Sequence, residues 1–155
     1  DRVAIWLHWL VASLVLAQFL TGWNWGWFER GSEPRLYLFR THIVLGSTIL
    51  ALAFLRLGWR LTHRPPPLPA GMSGPQALAA RATHALLYAA ILLQPVLGLL
   101  AITAFGKSLG RWPRDFHNLG AKLIFAALML HVGAVVWHQF VRRDGLLGRM
   151  LPARS

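Results

Sequence analysis

The 155-residue chain contains no cysteine, which excludes disulfides, thiolate metal centres, iron–sulfur clusters and cysteine nucleophiles together. Charge is scarce as well: only 14% of residues are charged, 55% are hydrophobic, and the mean hydropathy is +0.47. That balance excludes a soluble globule and makes lipid the main solvent. Acidic residues number five against 16 Lys and Arg, giving a formal charge of +11. Such an excess can mark nucleic-acid binding, but here the arginines flank long apolar runs and form no polar amphipathic face, so no nucleic-acid partner is expected. Histidine, present seven times, is left as the one plentiful soft ligand.

Four apolar runs follow one another, and an all-α integral membrane four-helix bundle with up-down topology is expected, a single transmembrane domain over 1–155 with helices at about 3–28, 36–61, 81–105 and 116–143. The first run, Val3 to Phe28, has no charged residue and exceeds the ~20 residues needed to span a bilayer. Trp23, Trp25 and Trp27 mark one interface and Trp6 with Trp9 the other. The loop ERGSEPR turns the chain back. The second run, Leu36 to Leu61, carries Arg40 and His42 near one end and Arg56 and Arg60 near the other. Arginines at helix ends can snorkel to headgroups, which suits Arg40 and Arg60, while Arg56, a turn deeper, could equally meet an anion inside the bundle. The segment Thr62 to Gln76 holds five prolines and two glycines and reads as an extended surface linker that leaves His63 solvated. The third run has His84 at its start, with Pro95 and Gly98 in its middle, where a kink is expected. A short basic loop with Lys107, Arg111 and Arg114 leads into the fourth run, and a basic tail closes the chain. The chain opens at Asp1 with no methionine, so a few preceding residues are expected. The first run is too long for a signal peptide and lacks a small-residue cleavage site. Four spans put both termini on one side, which carries nine Lys and Arg against seven on the other, favouring cytoplasmic termini.

In the last run, HNLGAKLIFAALMLHVGAVVWHQFVRR, His117, His131 and His138 lie within about 60° of one helix face. At a rise of ~1.5 Å per residue, His131 stands roughly 21 Å from His117 and roughly 10 Å from His138. Counting depth from the outer helix ends groups the histidines in three layers: His42 with His117, His8 with His131, and His84 with His138 at the cytoplasmic rim. Two imidazoles facing each other at one level are what bis-histidine haem ligation needs, and two such layers would hold two haems. Without a CxxCH motif these would be b haems. For His84 and His138 a helix–helix hydrogen bond and a place near a cofactor edge or quinone stay equally open.

The opening LHWLVA, the HIVLGSTILALAFLRLGWRL run from His42, the proline-rich linker, HALLYAAILLQPVLGLL from His84, HNLGAKLIFAALMLH from His117 and the ending RRDGLLGRMLP occur in this order. As an ordered set they resemble the bacterial diheme cytochrome b561 family, whose superoxide oxidase-like members are related to the b-type subunits of nickel–iron hydrogenases and formate dehydrogenases. The resemblance covers all four helices. It implies haem ligation by His8 and His131 on the cytoplasmic side and by His42 and His117 on the periplasmic side. It also implies a bacterial inner-membrane oxidoreductase with two haem b that exchanges electrons with ubiquinone, some members taking them from superoxide. Arg30, Arg35, Arg40, Lys107, Arg111, Arg114 and Lys122 would draw such an anion to the outer haem. The loop between the third and fourth helices is shorter than the family's, which leaves the periplasmic donor open. Quinone is expected near His138 or His84, with Arg56, Arg60 or Arg142 stabilising semiquinone or propionate charge. The alternative is a haem-bearing membrane anchor for a soluble dehydrogenase or hydrogenase, against which the short extramembrane loops count. A haem-free transporter would leave four layered histidines unexplained.

Overall fold

A computed structural model describes residues 1–63 and 72–151. Arg64 and most of the linker prolines, like Pro152 and Arg154 in the tail, lie outside the described residues. Every regular element among the described residues is helical. Four helices are long and apolar enough to cross a membrane: α1 (Arg2–Asn24), α2 (Glu33–Thr62), α3 (Gly74–Ile102) and α5 (Trp112–Trp137), with a short α4 (Ala104–Ser108) between the last two.

Local chemistry sets the ends. Asp1 caps α1, its carboxylate accepting from the Val3 N–H at 3.0 Å, and its other oxygen accepts from the Trp59 indole at 2.5 Å, tying the start of α1 to the end of α2. A single 3-10 turn over Trp25–Trp27 absorbs two of the three indoles that the sequence reading placed inside the first helix. Pro34 and Pro113 open α2 and α5, where the missing N–H costs nothing. The largest departure from the expected boundaries is at α3, which starts at Gly74 and not near Arg81. Ser73 and Gln76 form a capping box there, satisfying two otherwise orphaned backbone donors, so the linker ends earlier than its prolines suggest. His84 therefore sits ten residues into the helix, ~15 Å along its axis, not at its rim. The helix runs through Pro95 as one element. His63 is exposed, as expected, and stacks on Trp59 with ring centres 3.8 Å apart.

Helix α1 packs on α2, α3 on α5, and α2 on α3. The small and branched residues Gly46, Ile49 and Ala53 are buried along α2, and Ile124 with Ala127 along α5. In a bilayer, where burial of oil against oil gives no hydrophobic gain, such close-fitting contacts hold helices together. Large apolar side chains such as Leu16, Phe54, Leu93 and Leu130 lie bare on all four long helices, as lipid-facing residues do. Between α1 and α5 aromatic rings bridge the gap: Phe125 meets Phe19 and Trp23 with centres 5.7 and 4.9 Å apart. After α5 a π turn (His138–Arg142) ends at Arg143 in the left-handed region, and a 3-10 turn (Leu146–Met150) returns across the bundle end. There the Trp9 indole donates to the Met150 carbonyl at 2.6 Å.

Candidate functional site

The inner face of α2 organises the site. His42, Gly46, Ile49, Ala53, Arg56 and Arg60 fall within about 80° of one another on the helical wheel, so one stripe carries a histidine at one end and two guanidiniums at the other. Opposite it, α3 presents His84, Tyr88, Pro95 and Gly98 on one face by the same count. The two helices meet where Arg56 and Arg60 lie over the Tyr88 ring, 5.2 and 5.3 Å from its centre.

Two histidine pairs form across the bundle. At the hairpin end, His42 and His117 have ring centres 6.2 Å apart. At the end bearing the termini, His8 and His131 have centres 6.4 Å apart. The sequence count paired these same residues. It misplaced His84, whose ring lies 5.4 Å from that of His131 and which therefore joins the His8 and His131 layer, because α3 begins about two turns before the linker was expected to end. His138 stays apart at the rim, as read: it is buried, and its Nδ1–H donates to the Asp144 carboxylate at 2.5 Å. That hydrogen bond, with the Leu146 N–H and the nearby Arg142 charge, holds the Asp144 carboxyl below the usual carboxylate range. Arg142 itself lies over the Trp137 ring, 5.5 Å from its centre.

The hairpin-end pair is fixed in tautomer as well as position. The Thr21 hydroxyl donates to the Gln18 carbonyl at 2.9 Å, so toward His42 Nδ1, 3.0 Å away, its oxygen is left to accept. His117 Nδ1 faces the Gln94 carbonyl at 3.0 Å, a group that only accepts. Both rings thus carry hydrogen on Nδ1 and keep the Nε2 lone pair free. The Gln94 amide also donates to the His117 carbonyl, clamping that turn of α5. Two glycines make room: a Cβ at Gly98 would come within 2.8 Å of the His117 ring, and one at Gly22 within 3.0 Å of the His42 ring. Thr21, Gln94, Tyr88 and Asp144 were missed by the sequence reading. Only Gln94, a single amide in an otherwise apolar run, gave a signal that could have found its partner.

No group of three His, Asp or Glu among the described residues could hold a bare metal ion. A pair of imidazoles could instead hold a metal that brings further ligands of its own, as haem iron does. Metal–imidazole bonds of about 2.0–2.1 Å, with roughly 1.1 Å from ring nitrogen to ring centre, would set two imidazoles sharing one iron with centres ~6.3 Å apart. Both observed separations fall within a few tenths of an ångström of that value. The Gln18 side-chain oxygen, buried without a partner, adds an acceptor on the inner side of α1 that calls for a ligand or water.

Residues 1–153 match the family model described as prokaryotic cytochrome b561. The chain is 31% identical over 157 residues to a protein of Cereibacter sphaeroides named "Cytochrome b562", with 99% of this chain and 95% of that one covered. It is 26% identical over 175 residues to "Cytochrome b561 homolog 1" of Escherichia coli, covering 100% and 98%. To a Yersinia pestis protein named "Probable superoxide oxidase CybB" it is 26% identical over 171 residues, covering 97% and 94%.

Proposed function

The chain belongs to the prokaryotic cytochrome b561 family of b-haem membrane electron-transfer proteins, and from that membership we propose that it carries two bis-histidine haems and joins a one-electron donor outside the inner membrane to the quinone pool. The observation that carries this reading is the pair of opposed imidazoles at each of two depths, with centres 6.2 and 6.4 Å apart. Haem supplies a one-electron iron couple when bound. His42 and His117 hold the outer haem through Nε2, with Thr21 and the Gln94 carbonyl fixing their rings. His8 and His131 hold the inner one. Gly22 and Gly98 keep the space beside the outer rings clear, and apolar side chains of the four helices keep water from both.

At the hairpin end Lys107, Arg111 and Arg114 line a cavity of about 240 Å³ with Ala101 and Gly110. Three cations around one hollow draw a small anion toward the outer haem, which suits superoxide as the donor and supports the reading with that end in the periplasm and the termini in the cytoplasm. At the opposite end His138 is suited to quinone chemistry. Asp144 holds the His138 ring through Nδ1, which leaves Nε2 to meet a quinone oxygen. Arg56, Arg60 and Arg142 add positive charge at this end for quinone or propionate oxygens, and His84 lies in the inner layer beside them.

The test mixes the purified protein with superoxide and a short-chain ubiquinone. Quinone reduction above background, lost in His131→Ala, is the expected result. A protein that binds haem but reduces no quinone would instead be a haem-bearing anchor subunit.

A further inference from the structure

The two histidine layers are built from different hydrogen-bonding chemistry. At the outer layer each ring is met by an acceptor: the Thr21 oxygen faces His42 Nδ1 and the Gln94 carbonyl faces His117 Nδ1. An acceptor on Nδ1–H pushes electron density through the ring to Nε2 and makes the imidazole a stronger donor. A stronger donor favours the oxidised, more positive iron. At the inner layer the group 2.9 Å from His8 Nδ1 is the Arg56 guanidinium, which has donors only. As the structure stands His8 Nδ1 accepts from Arg56 and the ring hydrogen is on Nε2; ligation through Nε2 would move that hydrogen to Nδ1, where Arg56 cannot accept it and must turn aside, so this ligand gains no such reinforcement.

Charge acts in the same direction. Arg56 and Arg60 both flank Tyr88 beside this layer, and neither makes an ion pair among the described residues. A reduced site is one unit more negative than an oxidised one, and a cation held beside it in a low-dielectric interior stabilises it. The outer rings have no guanidinium within hydrogen-bonding distance among the described residues; they meet a hydroxyl, a carbonyl and the Trp25 ring, and the cations of that end, Lys107, Arg111 and Arg114, are exposed, where water screens their charge.

We infer that the inner site, with Arg56 as its tuning residue, holds an electron more tightly than the outer site, so that the bundle carries a built-in potential step from the hairpin end to the end bearing the termini. This rests on the two-haem reading. Arg56 is a positioning residue here, acting on the iron through His8 and through its charge.

A spectroelectrochemical titration of the purified holoprotein in nanodiscs, with the haem-to-protein ratio measured on the same samples, tests it. The wild type should show two one-electron components. His8→Ala should remove the higher-potential component and His42→Ala the lower. Arg56→Gln should lower the reduced-to-oxidised ratio of the inner site at fixed potential about tenfold, a shift of ~59 mV for one electron, and leave the outer site in place, while Arg56→Lys, which keeps the charge, should move it much less. Thr21→Val, on another helix, should raise the outer component and keeps the test decisive if Arg56→Gln fails to fold. Loss of the lower component in His8→Ala, or unchanged potentials in both Arg56→Gln and Thr21→Val, would overturn the inference while the two-haem reading stands. A ratio below two haems per wild-type chain would overturn both.

Discussion

His131 carries most of the inner layer, because the rings of His8 and His84 both converge on it. His131→Ala is expected to lose one haem and keep the other, seen as a halved b-type absorbance per protein; loss of both or neither would separate this residue from the layer. Gly98→Ala asks the converse question of the outer layer. The added methyl would sit 2.8 Å from the His117 ring, so the ring must shift, and outer-haem retention should fall about 10–100-fold, as changes next to a ligand do. Transfer of haem to an apo-globin measures it. Asp144 offers a pH prediction. Its carboxyl is held below the ordinary range by the His138 hydrogen bond, so the stabilisation is present at pH values above the unfolded carboxylate pKa and is lost as pH falls through the depressed folded value. The Leu146 amide, which donates to this carboxylate at 3.2 Å, should keep its hydrogen-exchange protection at neutral pH and lose it in strong acid, whereas Asp144→Asn should weaken that protection at neutral pH already. At this scale the histidine pairs were legible from spacing alone. Their partners were not, since nothing in the order of residues says that Thr21 reaches His42 or that Gln94 reaches His117 across the bundle.

Among the helices, hydropathy located every span, and the ends moved by a few residues wherever capping chemistry outweighed composition. The capping box at Ser73 and Gln76 is the instructive case, because a start shifted by about seven residues changed the depth of His84 by about 10 Å and with it the membership of the inner layer. Prolines suggested a linker; a serine and a glutamine decided where it stopped. Packing along α2 depends on residues that hydropathy treats as unremarkable. Ala53 is fully buried, at 0% exposure, between the histidine end and the arginine end of the same stripe. Ala53→Leu should force the helices apart at a cost of about 1–3 kcal/mol, read as a lower unfolding temperature in detergent. Ala51→Leu, at an exposed position on the far side of the same helix, serves as the comparison and should leave that temperature nearly unchanged.

For the molecule as a whole, the sparse core and the proposed haem sites belong together. The close backbone contacts run α1 to α2, α2 to α3 and α3 to α5, while histidine and aromatic rings bridge the space between α1 and α5 and between α2 and α5, where the two haems are proposed. Binding that fills this space stabilises the folded chain by mass action. Two haem sites, one in each histidine layer, are the premise of the electron path proposed for this bundle. The direct measurement is the alkaline pyridine haemochrome assay on the purified wild-type chain, set against protein quantified by amino-acid analysis. The account predicts two non-covalent b haems per chain. One haem per chain would contradict the pairing at one of the two depths, and none would contradict both.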